Sequence, residues 1–171
     1  MISETLASAL NKQIEMEGYA SYLYLSMSCW CEHKGLKGCA AFLRRQSEEE
    51  NMHMLKIIDY MLDVDAIPSI PSINKPPAQF DSIVTLMNSV FEHEKMVTRS
   101  IHQLVELCTK EENSDTFNFL QWYVIEQREE EALMRDILDK IKLIGDGPQS
   151  LYYIDKEVES INMKQLNTAT K

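Results

Sequence analysis

Glycine and proline are scarce in this chain of 171 residues, which has five of each. An all-β fold with many tight turns needs more turn residues, so the composition favours helices. Long hydrophobic runs are also missing, because no window approaches the roughly 18 uninterrupted apolar residues of a membrane span. The first residues, MISETLASALNKQ, lack the basic start and apolar core of a signal peptide. We therefore expect no membrane partner and a cytoplasmic location.

Positive charge is in deficit as well. The chain has 17 lysines and arginines against 27 aspartates and glutamates, which gives a formal net charge of −10. A protein that binds nucleic acid needs a basic face, so we do not expect a nucleic-acid partner. An acidic surface instead raises the local concentration of cations.

Cysteine is sparse and irregularly spaced. Cys29, Cys31, Cys39 and Cys108 form neither a zinc-ribbon pattern nor a dense disulfide framework. In a chain without an export signal we expect reduced thiols packed among helices.

What the chain does contain is helical periodicity. Four stretches of roughly 26 to 30 residues carry it, and they are separated by breaks at 34–38, 65–79, 108–115 and 144–150. Asp81 and Ser114 are the predicted N-caps of the third and fourth helices, and Gly145 is the predicted stop of the fourth.

The connections determine how these helices are arranged. The first and last are short, so the helices that they join are antiparallel neighbours. The middle connection contains four prolines, which keep it extended. It is long enough to run the length of the bundle and leave the third helix parallel to the second.

A narrow apolar stripe follows the four long helices. Leu151, Ile154, Val158 and Ile161 lie on one side of a fifth, short helix. Four helices already fill a bundle core, so we expect this stripe to pack against another subunit. The predicted fold class is all-α: a ferritin-like four-helix bundle with one long crossover between the second and third helices, plus a short fifth C-terminal helix.

Each long helix carries polar residues inside its apolar stripe. They are Glu17 on the first helix, Glu50 and His53 on the second, Glu94 on the third, and Gln127 and Glu130 on the fourth. Of the run at 48–50, Glu49 falls at the edge of the stripe and Glu48 outside it. The four inward glutamates lie near the middle of their helices, so side-by-side packing brings them into one layer.

A layer of four carboxylates needs neutralisation. Burying one unpaired carboxylate costs several kcal/mol, and no lysine or arginine occupies the stripes near this layer. A lone buried glutamate is more often protonated or bridged to a basic residue than a metal ligand. Four of them at one height favour a metal site, since every helix breaks its apolar pattern at the same level.

The donor types indicate which metal. Carboxylates and an imidazole without thiolates suit iron or manganese, and zinc less exclusively. Glu50 and His53 have the Glu-x-x-His spacing of di-iron carboxylate bundles. The corresponding place on the fourth helix holds Gln127-x-x-Glu130. A second ion would have only oxygen ligands and be held more weakly, which suits iron in transit.

Two long segments resemble a known family. AAFLRRQSEEENMHM (40–54) and TFNFLQWYVIEQREEE (116–131) are similar to the matching segments of the bacterial non-haem ferritins, and the similarity extends from about residue 2 to 161. The resemblance implies a ferritin-like di-iron domain over 1–162, with 163–171 as a tail that we expect to be flexible. It also implies a homo-oligomeric 24-mer cage that oxidises Fe(II) with O2 or H2O2 at a ferroxidase centre and stores a ferric mineral.

The same resemblance implies roles for individual residues. One iron would be held by Glu17, Glu50 and His53, and a second by Glu50 as bridge with Glu94 and Glu130, and with Gln127 nearby. A third iron site would use Glu49, Glu126 and Glu129 together with Glu130. Tyr24 corresponds to the tyrosine beside the centre and Trp122 to the nearby tryptophan, and both could supply electrons.

Three other interpretations remain. In bacterioferritin the haem-ligating methionine directly follows the glutamate of the first motif, but that position here is Asn51, with Met52 one residue further, so we expect no haem. A di-iron oxidase that stores nothing would carry Glu-x-x-His on the fourth helix and would need no fifth helix. A metal-free helical scaffold gives no reason for a carboxylate layer.

Overall fold

A computed structural model describes residues 2–169, which form five α-helices and no strand. The helices are α1 (Glu4–His33), α2 (Lys37–Asp63), α3 (Ile83–Lys110), α4 (Ser114–Ile144) and α5 (Ser150–Ala169). The all-α prediction and its four breaks are confirmed. Within this described part of the chain, no helix is both long and apolar enough to cross a bilayer.

Polar side chains fix where α3 and α4 begin. Ser82 and Asn113 are the N-caps, and each side-chain oxygen accepts a hydrogen bond from the backbone N–H three residues on, at 3.1 and 2.9 Å. The predicted caps Asp81 and Ser114 were therefore wrong by one residue in each case, since the neighbouring polar residue reaches the open amide. Gly145 ends α4 as predicted, with a φ of 66° that favours glycine.

The crossover between α2 and α3 runs along α1. The backbone N–H of Ser69 donates to Asn11 Oδ1 at 2.7 Å, and the Ser26 hydroxyl donates to the carbonyl of Pro77 at 2.7 Å. The later crossover residue contacts the later residue of α1, so the extended chain follows α1 from its N-terminal part towards its C-terminal end.

Contacts between helix ends confirm the predicted directions. Ser3, at the start of α1, donates to Glu111 at the end of α3 at 2.6 Å, so these two helices are antiparallel. The hydroxyls of Tyr60, near the end of α2, and Thr116, near the start of α4, lie 2.7 Å apart. Because α1 and α2 are joined by a short turn, α3 is parallel to α2, and α4 runs opposite to both.

The fifth helix packs on its own bundle. Ile154, Val158 and Ile161 are buried in the core together with residues of α1 and α2. Leu151 alone of the predicted stripe is exposed, at 57%. The prediction that the stripe packs against another subunit is therefore wrong for three of its four residues, because the four long helices leave the end of the bundle near the α1–α2 turn uncovered.

The contact between α5 and α2 is close and polar as well as apolar. The Asp155 carboxylate accepts the backbone N–H of Cys39 at 2.8 Å. A Cβ atom at Gly38 would lie 2.3 Å from the Asp155 carbonyl oxygen, so the approach requires glycine. The helix continues to Ala169, past the predicted domain boundary at residue 162, and the last two positions of the predicted tail, 170 and 171, lie outside the described residues.

The cysteines are all free. Cys31, Cys39 and Cys108 are buried, as predicted, whereas Cys29 is exposed. Burial raises the pKa of the Cys31 thiol to about 12, so this thiol is protonated and unreactive at neutral pH.

Candidate metal centre

The polar residues predicted to face inward are buried in the middle of the bundle. The exposed fractions are 0% for Glu17 and Glu50, 4% for His53, 1% for Glu94 and Gln127, and 5% for Glu130. All four long helices contribute, and the exposed Glu48 stays outside. The helical spacing alone therefore identified which carboxylates turn inward.

Three of these side chains converge on one point. Ligand atoms of Glu17, Glu50 and His53 all lie within 4.8 Å of one another. Oε2 of Glu50 is 3.3 Å from Nδ1 of His53. Within residues 2–169, Glu17 Oε2, both Glu50 oxygens and His53 Nδ1 are buried without a hydrogen-bond donor or acceptor. Buried polar atoms are normally paired, so this set fits a divalent cation with oxygen and nitrogen ligands.

A polar chain orients Glu17. Gln13 Nε2 donates to Glu17 Oε1 at 2.8 Å, and Ser100 Oγ donates to Gln13 Oε1 at 2.6 Å. The second carboxylate oxygen, Oε2, is left without a hydrogen-bond partner among the described residues. Sequence analysis missed Gln13, although it lies four residues before Glu17 and therefore on the same helical face.

The other half of the layer is held by hydrogen bonds. Tyr24 donates its hydroxyl to Oε1 of Glu94, and Gln127 Nε2 donates to Oε2 of Glu94 at 3.0 Å. Oε2 of Glu130 accepts from Gln46 Nε2 at 2.9 Å. The structure therefore brings Glu94 and Glu130 into the layer but not into the tight cluster around His53.

Burial shifts all four carboxyl groups towards the protonated form. It is the main cause that raises the pKa of Glu17 and Glu50 well above the usual value, with neighbouring carboxylates adding to it. It raises the pKa of Glu94 to about 7 and that of Glu130 to about 8. A cation that binds here must displace the protons held by these carboxyl groups, and its positive charge then balances the ionised carboxylates.

The residues of the predicted third iron site lie at the edge of the layer. Glu49 and Glu126 are half-buried and Glu129 is exposed. Together with the buried Glu130 they line a cavity of about 220 Å³ between α2 and α4, which residues of α5 also line. The structure therefore brings all four carboxylates to one cavity, which we call the carboxylate cavity.

An open groove leads to His53 from the surface. Its volume is about 630 Å³, and His53, Glu49, Glu126 and Trp122 are among the residues that line it. The Trp122 ring meets the His53 ring edge-on, with centroids 5.3 Å apart. Lys56 Nζ lies 4.5 Å from the centroid of Trp122, over the ring. The groove gives a small ion access to the imidazole side of the cluster.

One buried histidine was missed by sequence analysis. His93 is 8% exposed, and its ring lies 5.8 Å from that of Tyr19 and 5.9 Å from that of Tyr24. Burial lowers the pKa of His93 to about 4, so the imidazole is neutral at neutral pH. The signal was present, because the buried Val90 and Val97 lie three residues before it and four after it.

Several known proteins are similar to this chain over most of its length. The model of a family described as the ferritin-like domain matches residues 7–144. The chain is 40% identical over 162 residues to a bacterial non-heme ferritin of Escherichia coli O6:H1, covering 95% of this chain and 98% of that relative. It is 42% identical over 165 residues to a bacterial non-heme ferritin of Campylobacter jejuni, covering 96% and 99%. The crystal structure of an open pore ferritin from Archaeoglobus fulgidus superposes with a TM-score of 0.90 at 43% identity, covering 93% of this chain and 98% of that one.

Proposed function

The chain belongs to the ferritin family, and from that premise we propose that it stores iron. It binds Fe(II), oxidises it to Fe(III) at a di-iron ferroxidase centre inside the bundle, and deposits ferric oxyhydroxide within a hollow cage of 24 copies of the chain. The protein acts in the cytoplasm and carries no haem. Iron is its substrate and cargo.

The observation that carries this proposal is the convergence of Glu17, Glu50 and His53. Their ligand atoms lie within 4.8 Å of one another and are buried without hydrogen-bond partners among the described residues. Oε2 of Glu50 lies 3.3 Å from Nδ1 of His53, so two groups that can bind a divalent cation face each other in this layer. A divalent cation supplies the positive charge that the layer otherwise obtains only as protons.

The first Fe(II) is held by Glu17, Glu50 and His53. Gln13 restrains Glu17 so that its unpaired oxygen faces the ion. The carboxylate–imidazole set matches the preference of Fe(II) for oxygen and nitrogen donors. The His53 imidazole offers Nδ1, which has no hydrogen-bond partner in the described residues.

The second Fe(II) uses Glu50 as a bridge and takes Glu94 and Glu130 as further ligands, with Gln127 beside them. Tyr24 and Gln127 hydrogen-bond to Glu94 and keep its carboxylate oriented before metal arrives. This half offers only oxygen atoms, so it binds iron more weakly and allows the ion to leave after oxidation.

The reaction takes one electron from each of two Fe(II) ions. One O2 accepts the two electrons with two protons and leaves as H2O2, or one H2O2 accepts them with two protons and gives two waters. The protein positions the two ions close together, balances their charge with carboxylates and excludes other reactants. Tyr24 is the catalytic side chain in this scheme, because its phenol hydrogen-bonds to Glu94 and holds that ligand beside the second ion, while both electrons come from iron.

Oxidised iron then moves towards the carboxylate cavity. Glu49, Glu126 and Glu129 offer acceptor oxygens there, and Glu130 belongs to both the cavity and the layer. We assign the third iron site to this cavity. The net charge of −10 per chain draws Fe(II) towards the assembled cage and keeps anions away.

Anaerobic Fe(II) titration of the metal-free protein, followed by admission of oxygen, tests the proposal. We expect two or three ions per chain, rapid oxidation recorded by absorbance, and continued uptake of hundreds of ions per assembly. Saturation at two ions per chain without further uptake would indicate a di-iron oxidase that stores nothing. Absence of tight binding would leave the carboxylate layer without a metal role.

A further inference from the structure

An arginine occupies the wall of the carboxylate cavity. Arg45 in α2 is only 15% exposed in its side chain, and its Nη1 donates to Oε1 of Glu49 at 2.5 Å. A guanidinium placed against a carboxylate at that distance is a strong, charge-assisted pair. The oxidation of Fe(II) requires no such cation, and the charge of Arg45 opposes that of an entering metal ion.

The remaining donors of Arg45 hold the end of α5. Its Nε donates to Oδ1 of Asn162 at 2.6 Å, and its Nη2 donates to Oε1 of Gln165. Asn162 is 6% exposed, so this contact is largely shielded from solvent on the side of α5. The last turns of α5 are therefore tied to α2 through the same guanidinium that pairs with Glu49.

The same segment forms part of the cavity. Gln165 and Leu166 of α5 line it together with Leu133 of α4 and the carboxylates. Glu49 presents its other oxygen, Oε2, buried and without a hydrogen-bond partner among the described residues. Glu49, which lines the cavity, therefore pairs with Arg45 through one oxygen and has a second oxygen that no donor of the described residues satisfies.

We propose that Arg45 is the internal counter-ion of the carboxylate cavity, and that it keeps the cavity's affinity for divalent cations low. A cation bound to Glu49 lies within a few ångströms of the guanidinium, and like charges at that distance repel each other. Filling the cavity therefore displaces Arg45 from Glu49 and weakens its hold on Asn162 and Gln165. This inference rests on the proposed function, since the cation is the iron that passes from the oxidation site.

The consequence is a coupling between iron and the end of α5. By thermodynamic reciprocity, an α5 that is tied down through Arg45 disfavours cation binding in the cavity, and a bound cation disfavours the tied α5. A weak, self-limited site suits an ion that must leave for the mineral.

Zn(II), which does not change oxidation state, is the probe for the test. Calorimetric titration of the full-length, assembled, metal-free protein at fixed pH gives the binding steps, and Glu129→Ala identifies the step that belongs to the cavity. We expect Arg45→Gln to raise the affinity of that step by about 5-fold or more. Arg44→Gln is the matched control, because it removes the same charge from an exposed residue whose pair with Glu48 spans 3.7 Å. We expect it to change the affinity by less than about 2-fold.

A second measurement does not depend on a substitution at Arg45. Hydrogen–deuterium exchange of the unmodified protein should become faster in residues 159–167 when Zn(II) fills the cavity, and this change should be absent in Glu129→Ala. Unchanged exchange, an unchanged or lower affinity in Arg45→Gln, or the absence of any Glu129-dependent step would each overturn the inference. The proposed function fails separately, if Fe(II) binds to the Glu17–Glu50–His53 cluster and is neither oxidised nor stored.

Discussion

Replacing Glu130 by glutamine should stabilise the metal-free protein. The carboxyl group is 5% exposed, and burial raises its pKa to about 8. Glutamine has the same shape and no charge, and its carbonyl oxygen can still accept the hydrogen bond from Gln46. The substitution therefore removes the cost of keeping an acid in a site that lacks metal while it preserves the packing.

The magnitude follows from the two pKa values. At pH 7 the unfolded chain has an ionised Glu130, with a usual pKa of 4.5, whereas the folded chain holds the proton. Each pKa unit corresponds to about 1.4 kcal/mol, so folding costs about 3 kcal/mol at pH 7 on account of this group. The folded state binds more protons than the unfolded state between pH 4.5 and 8, and stability therefore falls as pH rises through that window.

Urea unfolding of both proteins, freed of metal by chelation and compared at equal concentration, measures the effect. We expect Glu130→Gln to be more stable by up to about 3 kcal/mol at pH 7. The difference should shrink to less than about 1 kcal/mol at pH 5, where the unfolded carboxyl also begins to protonate. Zn(II) should then narrow the difference at pH 7, because it stabilises the protein that keeps the Glu130 ligand more than the variant that lacks it. A less stable variant at pH 7, or a difference that does not depend on pH, would refute this reasoning.

Three further substitutions test other parts of the account. Glu50→Ala should abolish rapid Fe(II) oxidation while sizing chromatography still gives the assembled cage, and an unchanged initial rate would remove Glu50 from the bridging role. Tyr24→Phe loses the hydrogen bond to Glu94; stopped-flow absorbance should show slower oxidation, and the unfolding free energy should fall by about 1 kcal/mol. Gly38→Ala should lower the thermal midpoint by several degrees, because its Cβ would lie 2.3 Å from a carbonyl oxygen of α5. The control Gly147→Ala should leave the midpoint almost unchanged, since the nearest atom is 3.6 Å away, and equal effects of the two glycine substitutions would contradict the close approach of α5.

Much of the centre could be predicted because helices are periodic. An α-helix turns by about 100° per residue, and this periodicity predicts Glu17, Glu50, Glu94 and Glu130 in the core stripes. The structure buries all four. The prediction that they lie in one layer required only the assumption that the four helices have equal lengths and pack side by side. The direction of α3 followed from the length and proline content of the crossover, because an extended chain of that length can return along a bundle.

What could not be predicted depends on contacts between elements distant in sequence. The hydrogen bond from Tyr24 to Glu94 and the pairing of Arg45 with α5 have no periodic signature. The packing of α5 could not be predicted, because its short apolar stripe shows which face is buried but not which surface covers that face. Gly38 indicates a close contact with α5 only after the structure has shown that the two helices meet there. The predicted N-caps of α3 and α4 were each wrong by one residue, because two adjacent polar residues can accept a hydrogen bond from the first open amides of the helix.

The central claim is that iron binds within the bundle at the carboxylate layer. Crystals soaked with Fe(II) under anaerobic conditions and measured at the iron absorption edge test it directly. The account predicts one anomalous peak between Glu17, Glu50 and His53, and a weaker one bounded by Glu50, Glu94 and Glu130. Iron found only at surface carboxylates, with the layer still hydrogen-bonded and without metal, would contradict it.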